Sequence, residues 1–453
     1  MKAKRVSSAK PTAGDGHVYA LLIAVTAAVG GLLFGYDTSV ISGAILFVRQ
    51  QFHLTSAETE LAVSIVLAGA ALGAAVAGYF ADRFGRKPVL IVDAIIFGVF
   101  AAATGLAKGL VLFLAARFLV GVAVGVASMI TPLYIAEVAP ARIRGAFVTL
   151  NQLAIVTGIV VAYYVDYLFS GTANWRAMFI SAVFPSVVLL VALVFLPESP
   201  RWLAARGRLD EALRILSRVE TAEEARRDLQ ELRDVTQTDS LSFRDLFAPR
   251  FRRPLLIGIL LAIFQQITGV NTIIYYTPTI LQMAGFESAS SAILATVLVG
   301  TVNLVATIVS LLLLDRAGRR PLLLLGIAGM GLSLMHLGYL FGASHVSRNA
   351  ILFDVIAYLA SFGIGLGPIF WLLISEIYPT TVRGQAMSLA TVVIWISDLA
   401  VTMTFLSLVE GLGARASFWL YAGACVAALI FSAAMVPETK GRTLEEIETS
   451  WTA

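Results

Sequence analysis

Long apolar stretches with few charged residues recur along the whole chain. Each is long enough to cross a bilayer as a helix, which takes roughly 20 residues. The pattern of a transmembrane β-barrel, in which polar and apolar residues alternate over segments of about ten residues, is absent. We therefore predict an all-α polytopic membrane protein. Its twelve predicted spans are residues 19–47, 60–81, 88–107, 110–136, 146–169, 176–196, 255–283, 290–314, 321–342, 350–378, 384–408 and 415–436.

The composition agrees with a membrane protein. Of the 453 residues, 58% are hydrophobic and 14% are charged, whereas soluble domains average about 45–50% and about 25%. The first apolar stretch is too long for the core of a signal peptide, so we expect it to remain in the protein as a span.

The distribution of basic residues predicts the orientation of the chain. If both termini are cytoplasmic, 27 of the 33 Lys and Arg residues fall in cytoplasmic segments and 5 fall on the opposite side. This asymmetry follows the positive-inside rule and predicts a protein of the cytoplasmic membrane. The net charge of +4 therefore reflects topology and does not indicate binding to nucleic acid.

Three charged motifs occur twice, in the same order, once in each half of the chain. Asp-Arg-x-Gly-Arg begins at Asp82 and Asp315, a Glu with Arg-Gly seven residues later occurs at Glu137 and Glu376, and Pro-Glu follows the sixth and twelfth spans. The offsets of 233, 239 and 240 residues cover an even number of spans, so they indicate parallel repeats. We predict a disordered N-terminal tail (1–16), a six-helix half (17–196), a cytoplasmic helical linker (197–253), a second six-helix half (254–436) and a cytoplasmic C-terminal tail (437–453).

The seventh predicted span carries two glutamines, an asparagine and two tyrosines, at Gln265, Gln266, Asn271, Tyr275 and Tyr276. The bilayer core offers them no partner, so they either join helices or line a wet cavity. The glycine at 269 is a natural point for the helix to unwind and to bring the amides together. Uncharged amides and hydroxyls suit a neutral ligand rich in hydroxyl groups; a purely interhelical role is the alternative.

One carboxylate, Asp37, lies in the middle of the first span, where a charge is costly and indicates a functional site. Arg117 in the fourth span is the only Lys or Arg that does not lie at the end of a predicted span, so we expect the two side chains to pair. A purely structural ion pair is the alternative.

The sequence does not support an enzyme or a metal site. Its single cysteine, Cys425, has no thiolate partner, and its four histidines are scattered along the chain. No combination of nucleophile and base is evident. We therefore expect no cofactor, no metal and no enzymatic activity.

The chain resembles the sugar porter family of the major facilitator superfamily along essentially its whole length. The resemblance is carried by the paired charged motifs, by Pro-Glu-Ser-Pro-Arg at 197–201 with Pro-Glu-Thr-Lys-Gly at 437–441, and by Gln-Gln-x-x-Gly-x-Asn at 265–271. It implies that seven residues contact the sugar, namely Gln152, Gln265, Gln266, Asn271, Tyr275, Asn303 and Trp371. To these we add Phe34, Gly367 and Asp398 as further candidate contacts. An aromatic ring against the apolar face of a sugar, with amides on its hydroxyls, is a physically sound way to bind it.

The resemblance also implies that Asp37 carries a coupled proton and that Arg117 faces it. Moving a guanidinium away from a buried carboxylate favours protonation, so their separation would change proton affinity between states. The repeated charged residues would hold the cytoplasmic side closed in the outward-open state. These residues are Asp82, Arg83, Arg86, Glu137, Arg142, Arg144, Asp315, Arg316, Arg319, Glu376 and Arg383.

Three positions depart from the family pattern. Ile394 stands where relatives usually have an amide, and Asp398 stands where they more often have Asn. Gly363 stands where the facilitative transporters have an acid. The first two departures leave the exact sugar open.

We predict a monomeric symporter that couples a proton to a neutral hexose, pentose or cyclic polyol by alternating access. A facilitative uniporter with a structural Asp37–Arg117 pair is the first alternative. A sugar sensor is the second, and it would be expected to carry a longer signalling tail than residues 437–453.

Overall fold

A computed structural model describes residues 13–138, 144–218, 222–237, 243–343, 347–379, 381–442, 444–449 and 451. Across these residues the regular structure is helical, and twelve helical segments are long and apolar enough to cross a membrane. The predicted fold class and number of spans are confirmed.

Six spans form the N-terminal half. They are Ala13–Phe52, Ser56–Phe84, Arg86–Leu106, Leu110–Val138, Arg144–Ser170, and a sixth span made of Trp175–Ile180 and Val183–Phe195. The first helix thus begins at Ala13, inside the segment predicted as a tail, whose first twelve residues lie outside the described part of the chain.

The C-terminal half has six further spans, and three of them are broken helices. They are Arg252–Ile267 with Val270–Met283, Ala289–Ala317, Arg319–Phe341, Arg348–Ile364 with Leu366–Ile377, Arg383–Thr402 with Phe405–Leu412, and Ala414–Met435. We number the spans one to twelve in chain order.

The segment between the halves contains three short helices, Pro200–Ala205, Leu209–Leu216 and Ala222–Gln237, and two 3₁₀ turns, Phe243–Phe247 and Pro249–Phe251. Trp202 Nε1 donates to the carbonyl of Asp82 at 2.9 Å, and Arg206 donates to the same carbonyl at 2.8 Å. At the other end of the segment, Leu246 is fully buried in the main hydrophobic core. The linker therefore packs against the spans and does not extend freely from them.

Small residues allow neighbouring spans within the N-terminal half to pack very closely. A Cβ atom added at Gly35 would lie 1.8 Å from the carbonyl oxygen of Ile155, and one added at Gly121 would lie 2.0 Å from that of Val66. The first span therefore packs directly on the fifth, and the second on the fourth, at distances that only glycine permits.

Hydrogen bonds join the two halves on the side opposite the linker. The hydroxyl of Tyr163 in the fifth span donates to the carbonyl of Ile274 in the seventh at 2.8 Å. Near the ends of the fifth and eighth spans, Ser170 donates to Ser290 at 2.8 Å. These contacts hold the two halves together on this side.

A carboxylate strengthens the same closure between the second and eleventh spans. Glu60 accepts the backbone N–H of Ser407 at 2.8 Å and its hydroxyl at 2.6 Å, and Ser56 pairs with Glu410 close by. Ser407 and Glu410 belong to Phe405–Leu412, the short second helix of the eleventh span. The structure is therefore closed on the side opposite the linker.

Candidate transport site

The seventh span is broken where the sequence predicts it to unwind. Gly269 separates the two helices of the span and has φ +88°, a left-handed conformation that favours glycine. A Cβ atom at this position would also lie 3.1 Å from the ring of Tyr421. The hydroxyl of Tyr358 donates to the carbonyl of Thr268 at 2.9 Å and so satisfies a backbone group freed by the break.

The break brings an amide cluster together with an acid from the eleventh span. Asn271 Nδ2 donates to Gln266 Oε1 at 3.0 Å and to Asp398 Oδ2 at 2.6 Å. The hydroxyl of Tyr275 donates to the same carboxylate oxygen at 3.2 Å, and Thr402 donates to Asp398 Oδ1 at 3.0 Å. We call these five residues the amide–acid cluster. Four of them are buried, whereas Asn271 is half-buried.

Gln265 connects this region to the broken tenth span. Its Nε2 donates to the carbonyl of Leu366 at 3.2 Å, one residue after the break at Gly365. Gly367 is buried beside this contact in the same helix. Trp371 follows one turn later, half-buried, with its ring centroid 5.2 Å from that of Phe370. The tenth span is therefore broken at Gly365, next to the residues of the seventh span.

Among the predicted sugar contacts outside the amide–acid cluster, Asn303, Gln152 and Trp371 form no side-chain hydrogen bond in the part of the chain that the structure describes. Asn303 is buried, and its Oδ1 has no hydrogen-bond partner among the described residues. A Cβ atom at Gly363 would lie 2.8 Å from this oxygen, so the glycine leaves the amide open toward the tenth span. Gln152 and Trp371 are half-buried and form no side-chain hydrogen bond within the part of the chain that the structure covers.

Two residues of the eleventh span were missed by the sequence analysis. Trp395 is buried, its ring lies 5.4 Å from that of Phe34 across the two halves, and its indole nitrogen has no described partner. Thr402 donates to Asp398 and orients it. Thr402 follows Asp398 by four residues, and this spacing on a helix could have indicated the contact from the sequence. An aromatic pair thus lies across the interface between the halves, beside the neutral amides.

The predicted pairing of Asp37 with Arg117 is confirmed. Arg117 Nη1 donates to Asp37 Oδ1 at 2.8 Å, and the two side chains are 0% and 2% exposed, respectively. Asp37 Oδ2 and the Nε and Nη2 atoms of Arg117 have no hydrogen-bond partner among the described residues. The guanidinium also lies 5.3 Å from the ring of Phe179. The pair is therefore fully desolvated but joined by a single hydrogen bond.

A family model described as "Sugar (and other) transporter" matches residues 23–451. The chain belongs to this sugar transporter family. It is 40% identical to a D-xylose transporter of Levilactobacillus brevis over 429 residues, which are 93% of each chain. It is 38% identical to the galactose-proton symporter of Escherichia coli strain K12 over 449 residues, 97% of this chain and 96% of the other.

A similar solved structure is the inward-open conformation of the xylose transporter XylE from E. coli. It superimposes with a TM-score of 0.82 at 33% identity and covers 96% of this chain and 100% of that one. The two-half architecture of this sugar transporter is thus shared with a solved member of its family.

The first copies of the three charged motifs form one compact network at the linker end of the N-terminal half of this sugar transporter. Arg86 binds Glu137 at 3.0 Å and Asp82 at 3.0 Å, and Ser199 donates to Glu137 at 2.5 Å. Glu198 accepts the backbone N–H groups of Arg86, Lys87 and Ser199, yet burial raises the pKa of its carboxyl above the usual range.

The second copies of the three motifs form the same network in the C-terminal half. Arg319 binds Glu376 at 3.1 Å and Asp315 at 3.6 Å, and Thr439 donates to Glu376 at 2.5 Å. Burial alone would raise the pKa of Glu438, but four backbone N–H donors hold it below its usual range. The duplication inferred from sequence is therefore also present in the hydrogen bonds.

Among the described residues, the ion pairs of these motifs lie within each half, whereas the sequence pattern predicted that they act between the halves. Arg383 donates to the carbonyl of Tyr378 at 3.2 Å, also in its own half. Arg83 and Arg316 are exposed at the linker end. Arg144 begins the fifth span, and Arg142 lies outside the described residues. In this state the motifs bind neighbouring spans of one half together.

Proposed function

We propose that this protein is a symporter that carries a neutral monosaccharide together with a proton by alternating access. The observation that carries the proposal is the buried Asp37–Arg117 pair, held by one hydrogen bond in the half of the molecule that faces the amide–acid cluster. Relatives over nearly the whole chain are named as a proton symporter of galactose and as a xylose transporter.

The chemistry of the cluster selects a neutral ligand rich in hydroxyls. Gln266 and Asn271 supply amide donors and acceptors, and the rings of Phe34, Trp371 and Trp395 supply flat apolar faces. A pyranose or a cyclic polyol offers the matching combination of hydroxyl groups and an apolar C–H face. A sugar phosphate or a sugar acid would bring a second negative charge close to Asp398, so we expect both to be excluded.

The geometry of the Asp37–Arg117 pair suits a proton carrier better than a structural brace. A structural Arg–carboxylate pair is typically bidentate, with the remaining polar atoms also bonded. Here one carboxylate oxygen and two guanidinium nitrogens lack partners among the described atoms. Protonation of Asp37 removes the charge that compensates the buried Arg117 guanidinium, so the arginine has to find another partner or water, and the packing of the first and fourth spans changes.

Alternating access requires a structure that closes one side at a time. The hydrogen bonds of Glu60, Tyr163 and Ser170 close the side opposite the linker in the present state. The charge asymmetry of the loops supports an extracellular position for this closed side and cytoplasmic positions for both termini. The transport site lies within a single chain, so we propose that the monomer is the functional unit.

Uptake into membrane vesicles tests the proposal. Vesicles containing the purified protein are loaded at acidic or neutral external pH with radiolabelled D-galactose, L-arabinose or D-xylose. We expect at least one sugar to accumulate above its external concentration only when the external medium is more acidic. Equilibration without accumulation in the presence of a proton gradient would instead identify a facilitative uniporter, and binding without uptake would identify a sensor.

A further inference from the structure

Asp398 stands out because its hydrogen bonds determine the orientation of the neighbouring amides. We propose that Asp398 is a positioning residue that fixes the direction of hydrogen bonding in the sugar pocket. It makes Asn271 an obligatory acceptor and leaves Gln266 as a donor toward the substrate. This inference rests on the proposed function and adds a rule for which substrate hydroxyls must donate.

Asn271 already uses both of its N–H groups within the protein. An asparagine amide nitrogen carries two N–H groups, and an ionised carboxylate only accepts hydrogen bonds. One N–H of Asn271 donates to Gln266 Oε1 at 3.0 Å and the other donates to Asp398 Oδ2 at 2.6 Å. Both donors are therefore used within the protein. Since Asn271 is half-buried, its carbonyl oxygen is the atom left for a substrate.

The same bonds determine what Gln266 offers. Its Oε1 accepts from Asn271, so its Nε2 keeps two N–H groups, and no described residue accepts from them. Gln265 differs, because its Nε2 already donates to the carbonyl of Leu366 at 3.2 Å. The pocket thus presents an acceptor at Asn271 and donors at Gln266. A substrate must offer a hydroxyl hydrogen to the first and a lone pair to the second.

Asp398 was predicted above to contact the sugar itself, but its buried position suits it to act through its neighbours. Its side chain is 1% exposed, and it accepts three hydrogen bonds, from Asn271, Tyr275 and Thr402. No Lys, Arg or His forms an ion pair with it within the described residues. A side-chain amide at this position could donate to Asn271 as well as accept from it. Only an ionised acid, which accepts hydrogen bonds and donates none, excludes the reversed orientation of the Asn271 amide.

Deoxy and fluoro analogues of the substrate separate donors from acceptors. Replacing a hydroxyl by hydrogen removes both roles, whereas fluorine retains a weak acceptor and loses the donor. At the hydroxyl that meets Asn271, we expect both replacements to weaken binding by about tenfold in the parent protein. At the hydroxyl that meets Gln266, the fluoro analogue should bind several times more tightly than the deoxy analogue.

The test measures binding of D-galactose, L-arabinose and D-xylose to the full-length protein, and then competition by the monodeoxy and monofluoro analogues of the tightest of the three. Asp398→Asn frees the Asn271 amide to turn and to donate. At the sugar position that meets Asn271, we therefore expect the fluoro analogue to bind better, so that the ratio of fluoro to deoxy affinity rises at least fivefold over that of the parent protein. Asp354→Asn is the matched control. Asp354 is also a buried acid of the C-terminal half, but it pairs with His336 at 2.8 Å, away from the cluster.

A second variant keeps the proposal testable if Asp398→Asn does not fold. Gln266→Glu preserves the acceptor for Asn271 and removes the N–H donors, so the tolerance of fluorine at the Gln266 position should disappear. Fluoro-to-deoxy ratios that stay unchanged in both variants, with sugar still bound, would overturn this inference and leave the proposed function intact. If the parent protein binds none of the three sugars, the sugar site itself is wrong, and both proposals fall.

Discussion

Removing the carboxylate of Glu60 should open the side of the protein opposite the linker. Glu60 is 3% exposed and accepts two hydrogen bonds from Ser407 of the other half, at 2.8 and 2.6 Å. Ser407 lies in the first turn of the short helix Phe405–Leu412, where backbone N–H groups lack intrahelical partners. A carboxylate at this position also interacts favourably with the helix dipole. The contact is available only when the two halves are together.

The expected size of the effect follows from these two bonds. A hydrogen bond to a charged group contributes about 1.5–3 kcal/mol net. The two bonds together contribute less than twice this free energy, because water hydrates Glu60 and Ser407 when the halves separate. If the contact as a whole contributes about 3 kcal/mol, Glu60→Ala changes the ratio of closed to open molecules by about 150-fold. Ser407→Ala removes only the hydroxyl bond, so its effect should be intermediate.

Distance measurements between spin labels report this equilibrium directly. Labels are placed at the exposed positions Gln50 and Glu287, one in each half, after the single native cysteine is replaced. Glu60→Ala should shift the distance distribution toward a longer, open component. Glu58→Gln is the matched control, since Glu58 caps its own helix at Thr55 and forms no hydrogen bond to the other half among the described residues. An unchanged distribution in Glu60→Ala would refute the reasoning.

Three further outcomes are expected. Glu137→Arg or Arg383→Glu should shift the resting protein toward the inward-open state, and cysteines placed at the linker end should then be labelled faster. Unchanged labelling rates in both variants would count against a gating role. Gln266→Ala should weaken sugar binding by roughly 5- to 150-fold, because a buried hydrogen-bonding group is left unpaired at a cost of about 1–3 kcal/mol; affinity equal to that of the parent would place the pocket elsewhere. Gly35→Val should prevent recovery of folded protein in detergent, because its Cβ would lie 1.8 Å from a carbonyl oxygen of the fifth span. The control variant Gly78→Val should retain the parental melting temperature, because a Cβ at Gly78 meets no atom within 4 Å.

Much of the fold and part of the site follow from sequence because their signals are local or unique. Apolar length alone identifies the spans, and the motif offsets identify the duplication. Arg117 is the only Lys or Arg in the interior of a predicted span, so Asp37 has a single candidate partner, and the two do pair. Gly269 marks the break in the seventh span because a left-handed residue there has to be glycine.

Other features depend on packing that no local pattern records. The eleventh span breaks at Met403 and Thr404, with neither glycine nor proline at the break to signal it. Glu60 stands at the start of a predicted span, where an acid is unremarkable, and only the tertiary structure places it against the other half. The repeated motifs suggested contacts between halves, yet Arg86 and Arg319 each bind acids of their own half. Sequence repetition indicates equivalent positions in the two halves, but not which side chains meet.

The central claim is that Asp37 couples a proton to sugar movement, and sugar-induced pH change tests it most directly. Right-side-out vesicles in a weakly buffered medium are given the transported sugar without any imposed gradient. The parent protein should make the medium more alkaline as sugar and protons enter together. Asp37→Asn should abolish this alkalinisation while still exchanging labelled sugar in counterflow. Equal alkalinisation in the variant, or sugar entry without any pH change in the parent, would contradict the account.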